Sequence, residues 1–306
     1  MPRGPAPEPR AAFAAGHEIV VAGERFPIDA PVVLWTEEPY YDAQSEEPRF
    51  ASDGPKGKRY REGREARTAE LASRVDREGW TLATLRSQLD LFVIHYDACG
   101  TSRACFRVLQ DERELSVHFL LDVDGTLYQT LDLAHTAWHA RAANPRSIGI
   151  EIAHVGAFAP SERAAWKRAY EWTEDGVRLA LSPGQRAGLR WPDFEGAPAT
   201  GELHTGPIHG ARYAQLDFTP QQYESLAALA AALSELFPRI ALDAPRDEHG
   251  DVRTDALTDA EEADFHGLVG HYHLQTDKRD PGPAFDWERV LRDARVRRAA
   301  RSGGPE

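Results

Sequence analysis

Leu91-Phe92-Val93-Ile94-His95 is the stretch on which the reading of this chain turns. Four consecutive apolar residues are too few for a helix and read as a buried strand, with an imidazole at its C-terminal end. Ser147-Ile148-Gly149-Ile150-Glu151-Ile152 repeats the pattern, with a carboxylate near its end. Its Gly149 marks a close approach to the backbone. Residues 118–123 read as a strand between these two, and Asp124-Gly125 as a tight hairpin turn into residues 126–130. Further on, residues 266–270 form a strand that delivers His271.

Helical signals lie between and beyond these strands. Thr219-Pro220-Gln221-Gln222 is a helix start, with Thr as N-cap, Pro at the first position and Gln at the third. Tyr223, Leu226, Leu229, Leu233 and Leu236 then recur at three- and four-residue steps, as a core-facing stripe requires. Residues 161–181 and 287–301 also read as helices. Strands interleaved with helices give an α/β fold with a mixed central β-sheet flanked by helices, because the Asp-Gly hairpin makes one strand pair antiparallel. We expect residues 1–85 to be a partly irregular N-terminal extension with short strands at 19–21 and 31–35. Residues 86–300 are expected to form a single catalytic domain with insertions at about 156–215 and 241–264. The first insertion contains a long Gly/Pro-rich loop, the kind of segment that serves as a rim or lid.

Bulk composition narrows the function. Of 306 residues, 42% are hydrophobic and 28% charged, and no apolar run is long enough to span a bilayer. A net charge of −13 argues against a nucleic-acid partner and sits more easily with a soluble fragment as substrate than with an anionic polymer. The first residues lack the apolar core of a signal peptide, and the chain has only two cysteines, Cys99 and Cys105. A cytoplasmic, reducing compartment is the expectation.

Twelve histidines are available for chemistry. A catalytic zinc site needs three protein ligands and an open position for water. His95 and His271 both end apolar strands, and Asp280 follows His271 by nine residues, just ahead of a stiff Pro-Gly-Pro. Each of the three, taken alone, reads more readily as a structural residue than as a ligand. His135 and His139 have the spacing of a helical zinc-protease motif, but Thr136 stands where the catalytic Glu belongs. His271 and His273 form a further possible pair, while His204 and His209 fall in the Gly/Pro loop and are expected to be exposed. No Gly-x-Ser-x-Gly context supports a serine nucleophile.

The order of blocks decides among these options. Ile94-His95-Tyr96-Asp97-Ala98, Ser116-Val117-His118-Phe119-Leu120, Asp124-Gly125-Thr126-Leu127-Tyr128-Gln129, Ala137-Trp138-His139-Ala140 and Ser147-Ile148-Gly149-Ile150-Glu151 come first. Gly270-His271 and Asp280-Pro281-Gly282-Pro283-Ala284-Phe285-Asp286-Trp287 follow. Together they resemble the amidase-2 and peptidoglycan recognition protein family, whose amidases cut the bond between N-acetylmuramic acid and L-alanine. The likeness is strongest to the branch that recycles anhydro-muropeptides. It implies zinc as cofactor, with His95, His271 and Asp280 as ligands; Asp280 stands where many relatives have Cys.

The resemblance also implies Glu151 as general base and Lys278 as the cation beside the reacting carbonyl; His118, Trp138 and His139 read equally as substrate-pocket residues and as packed residues with satisfied ring nitrogens. Val117 occupies the position of a catalytic Tyr in phage and recognition-protein relatives, so proton transfer rests on Glu151. The implied partners are peptidoglycan or muropeptide fragments. Cys99 and Cys105 match the position of a disulfide in recognition proteins, and a formed bridge would mean an exported protein. The alternative on the same fold is a non-catalytic peptidoglycan-binding or sensing module.

Overall fold

Strand β4 (Leu91–Tyr96) lies in the parallel half of a seven-stranded sheet, in a computed structural model that describes residues 11–51 and 53–302. The spatial order is β1 (Gly16–Val21), β2 (Glu24–Leu34), β6 (Leu127–Gln129), β5 (Phe119–Leu121), β8 (Ser147–Ile152), β4, β13 (Gly267–Gly270). The pairs β1–β2 and β5–β6 are antiparallel and the other four parallel, so the sheet is mixed as expected. Gly125 closes the β5–β6 hairpin at a φ of 82°, which Gly adopts without strain.

Strand alternation sorts the two faces. Phe92, Ile94, Ile148, Ile150 and Ile152 join the main core, under α6 (Pro220–Leu236) and α9 (Trp287–Ser302). Leu91, Val93 and His95 point the other way, as do Ser147, Gly149 and Glu151 on β8. The register sets His95 opposite Glu151, so both reach the same face at the C-terminal ends of neighbouring strands.

Helix α6 starts as its sequence specifies. Thr219 Oγ1 accepts the Gln222 N–H at 3.1 Å, and Gln222 Oε1 accepts the Thr219 N–H at 2.9 Å. Its burial is wider than one stripe, because α9 covers the side away from the sheet and Ala227, Ala228 and Ala231 are buried too.

Three expectations are corrected. The described part of residues 1–85 does not stand outside the domain: β1 and β2 complete the sheet, and a boundary at residue 86 would divide it. Gln129, fully buried, fixes this edge by donating to Val20 O at 2.8 Å and accepting from Val20 N–H at 2.7 Å. Residues 161–181 are not one helix. Helix α4 (Arg163–Ala169) stops where Tyr170, Trp172, Thr173 and Val177 favour strands, and β9 (Tyr170–Thr173) turns into β10 (Gly176–Leu179). The Gly/Pro-rich loop contains a second hairpin, β11 (Leu203–Ile208) and β12 (Ala211–Leu216), turned by His209 and Gly210 at φ values of 50° and 75°.

Further α-helices are α1 (Ala69–Glu78), α2 (Leu82–Gln88), α3 (Ser102–Arg107), α5 (Pro183–Arg186), α7 (Asp259–Asp264) and α8 (His271–Leu274). A two-residue ladder joins β3 (Tyr60–Arg61) to β7 (Thr136–Ala137). Helix α7 gives structure to the end of the acidic insertion, with Thr258 and Glu261 as its capping box. Among the described residues, no helix is long and apolar enough to cross a membrane.

Candidate metal centre

His95 is carried by the end of β4 and His271 by the first residue of α8, directly after β13. Asp280 comes from the following loop, where the Asp280–Pro281 bond is cis. Three atoms from these separate places converge. His95 Nδ1 lies 2.9 Å from His271 Nδ1, and Asp280 Oδ2 lies 3.0 Å from each of them. All three side chains are buried.

Hydrogen bonds do not account for this triangle. A proton lies along one donor–acceptor axis and serves one pair at a time, so three mutual contacts leave at least one repulsive edge. A single cation serves all three atoms, and two imidazole nitrogens with one carboxylate oxygen are a donor set that suits zinc. Protonation states agree. Burial, with His271 alongside, lowers the His95 imidazole to about 4, which keeps it neutral as a ligand must be. Burial opposes ionisation of Asp280, but the two adjacent imidazoles prevail and hold its carboxyl below the usual range.

The far side of each imidazole is also held. His95 Nε2 is 3.0 Å from His139 Nδ1, and His139 Nε2 is 3.2 Å from Ser147 Oγ. Gly149 makes room for this ring: a Cβ there would come within 2.5 Å of His139 Cε1 and Nδ1. The close approach expected at Gly149 is therefore made by an imidazole. His271 Nε2 lies 2.8 Å from the Gln275 amide. With Nδ1 given to a metal, Nε2 carries the proton and needs an acceptor. A half-turn of that amide brings Gln275 Oε1 to it, and relieves the one buried Gln275 atom without a partner.

His271 and Asp280 stand at one wall of a cleft of about 310 Å³, which Tyr96, Trp138, His139, Glu151, Lys278 and Arg279 also line, while His95 is buried against these two. Glu151 is partly exposed to this cleft, and its Oε2 is buried without a partner among the described residues. Burial, then the nearby Asp280 and Asp97 carboxylates, push its pKa well above the ordinary value; Lys278 offsets part of this. The main chain of Lys278 is fixed by His209, whose Nε2 donates to its carbonyl at 3.0 Å. His209 is thus a support for the cleft loop rather than an exposed loop residue.

Of the residues expected to form the site, His95, His271, Asp280, Glu151, Lys278, Trp138 and His139 come together. His118 does not reach the cleft. It is fully buried, accepts from Gly149 N–H at 3.1 Å through Nδ1, and directs Nε2 to His135 O at 3.2 Å. Several cleft residues escaped the sequence reading. Asp97 organises the loop after β4, its Oδ1 accepting N–H groups of Cys99, Gly100 and His154 at 2.9–3.0 Å, and burial pushes its carboxyl up to about 7. Arg279 lies over the Tyr213 ring of the β11–β12 hairpin, 5.2 Å from its centre. The only trace of Gln275 in the sequence is its i+4 spacing from His271, and it stands just past the end of the four-residue helix α8.

Comparison with known proteins gives the following. Residues 85–187 match the family model Amidase_2, described as N-acetylmuramoyl-L-alanine amidase. The likeness to that family drawn from the sequence blocks holds. No curated protein matches. Similar solved structures include the Escherichia coli N-acetylmuramyl-L-alanine amidase AmiD in complex with anhydro-N-acetylmuramic acid-L-Ala-D-γ-Glu-L-Lys. It is 17% identical with a TM-score of 0.38, and the match covers 67% of this chain and 57% of that one. This chain thus spans little more than half the length of that amidase. Pseudomonas aeruginosa AmpDh3, in complex with anhydromuramic pentapeptide, is 18% identical (TM-score 0.38; 72% of this chain, 69% of that one). Staphylococcus aureus hydrolase AmiA, in complex with its ligand, is 13% identical (TM-score 0.39; 71% and 76%).

Proposed function

We propose that this chain is a zinc-dependent N-acetylmuramoyl-L-alanine amidase, hydrolysing the amide between the lactyl group of muramic acid and L-alanine in muropeptide fragments. One observation carries the reading: three donor atoms from three separated segments meet at 2.9–3.0 Å, beside a carboxylate on the neighbouring strand. His95, His271 and Asp280 would hold the ion. When bound, zinc polarises the amide carbonyl and acidifies its water to a pKa near 7.

The chain's own residues do the rest. Glu151 takes a proton at its carboxylate and hands it to the leaving amine of alanine. Its partnerless, buried oxygen leaves it free to receive that proton. Lys278 brings an ammonium to the negative charge that develops on the carbonyl oxygen. His139 and Gln275 keep the two imidazoles turned toward the ion. Trp138 offers an apolar wall to the substrate. The free thiols of Cys99 and Cys105 accord with a reducing compartment, where soluble fragments are the substrate.

Mass spectrometry of muropeptides incubated with the protein tests this reading. Release of a peptide with a free N-terminal alanine, stopped by a chelator, is expected. Bound zinc without release from either muropeptides or intact wall would end it. A complete ligand set with an intact base is what separates this reading from a purely binding module.

A further inference from the structure

The insertion over residues 156–215 builds a groove that the hydrolytic chemistry does not use. Pro160, Trp166, Lys167, Trp172, Thr205 and Ala214 line it with Leu203, around about 390 Å³. That volume lies within the range of ligand sites. Trp172 and Leu203 are 54% and 44% exposed, and they are two of the four large apolar side chains so exposed among the described residues. Exposed apolar groups gathered in one concavity mark a contact site.

The polar groups narrow the ligand. Lys167 forms no ion pair among the described residues, and it is the one charged residue of the groove. The groove therefore offers indole surface together with ammonium and hydroxyl donors and, among the described residues, no carboxylate. A complementary ligand has flat apolar faces and many acceptor oxygens, which describes an N-acetylated sugar.

Position adds to this. Thr205 pairs with Ala214 across the β11–β12 hairpin, so both lie on its groove face. Gln215, on the opposite face, donates to Pro281 O at 3.0 Å and accepts from Ala284 N–H at 3.1 Å, gripping the loop that carries Asp280. One hairpin thus joins the groove to the candidate metal loop.

We propose that this groove is a saccharide-binding site that takes a chain of N-acetylated amino sugars stacked on Trp172. The choice of a sugar rests in part on the proposed amidase function. Titrating the full-length protein with chitohexaose, followed by intrinsic tryptophan fluorescence and calorimetry, tests it without any turnover. Saturable binding is expected, weakened at least tenfold in Trp172→Ala and severalfold in Lys167→Ala; both side chains are exposed, so the folded chain survives the changes. Peptide-free glycan from cell wall forms a second arm, and tighter binding there than to chitohexaose identifies a carboxylate-bearing sugar as the ligand facing Lys167. Absence of binding to either saccharide at millimolar concentration, or equal binding by Trp172→Ala, would overturn the proposal. A chain that cleaves muropeptides but binds neither saccharide refutes the groove alone. A chain that binds saccharide through Trp172 but never cleaves refutes the amidase reading alone.

Discussion

Replacing Gly149 by alanine adds a single methyl group in a strand, and the structure places the consequence at the metal centre. The new Cβ would stand 2.5 Å from His139 Cε1 and Nδ1 and 2.8 Å from Cγ. Comfortable carbon contacts begin at about 3.5 Å, so the ring must retreat by about 1 Å. Strand β8 cannot yield instead, because it is paired on both sides, with β4 and β5. A retreat of that size takes His139 Nδ1 from 3.0 Å to about 4 Å from His95 Nε2, beyond hydrogen-bond range. Overpacking of this kind costs about 1–3 kcal/mol of stability. Loss of a ligand's outer partner weakens metal binding by about 10–100-fold. Chelator competition for zinc, with thermal melts of the metal-free protein, measures both. Because the two residues act through one contact, Gly149→Ala should add little to the defect of His139→Ala. Zinc affinity of Gly149→Ala within twofold of the parent would refute the chain of support from Ser147 through His139 to His95.

Other expectations follow from the same geometry. Glu151→Gln should keep its zinc and lose about 10²–10⁴-fold in turnover, read by metal analysis beside product release; a variant that loses zinc as well would make Glu151 a support of the centre instead. Gln275→Leu, which offers no acceptor to His271 Nε2, should weaken zinc binding by about 10–100-fold, whereas unchanged binding would remove Gln275 from the centre. His154 sets a pH dependence of stability. Burial lowers its imidazole from 6.5 to about 4, with Nδ1 accepting from Gly156 N–H at 2.8 Å and Nε2 facing Leu216 O at 2.9 Å. Above pH 6.5 the ring is neutral folded and unfolded; as pH falls toward 4 only the unfolded chain gains the proton, so stability is lost over that window. The loss by pH 5 is about 2 kcal/mol, and urea unfolding of His154→Gln should show a shallower fall between pH 7 and 5 than the parent.

The sheet's centre was legible because two short apolar runs, each ending on a chemistry-bearing residue, follow the simple period of a buried strand. The β5–β6 hairpin and the start of α6 were legible for local reasons, an Asp-Gly turn and a capping box. The docking of β1 and β2 was not, because it depends on Gln129 and Asp132 more than a hundred residues away, the latter accepting N–H groups of Ala22 and Gly23 at 2.8 Å. The hairpins of the insertion hid behind helix-compatible residues and a Gly/Pro-rich composition. At the site, block order grouped His95, Glu151, His271, Lys278 and Asp280, as the structure does. It could not separate His139, which touches a candidate ligand, from His118, which lies buried beneath, since each is the histidine of its own block. Gln275 left only its spacing from His271, because its role depends on the direction of an amide.

The most direct test of the account is zinc-dependent release of peptide from a muramyl-L-alanyl peptide by metal-free protein, followed by mass spectrometry as zinc is added back. The account predicts no cleavage without metal and full cleavage at about one zinc per chain. Asp280→Ala should fail at any such stoichiometry. Cleavage by the metal-free protein, or undiminished cleavage by Asp280→Ala, would contradict it.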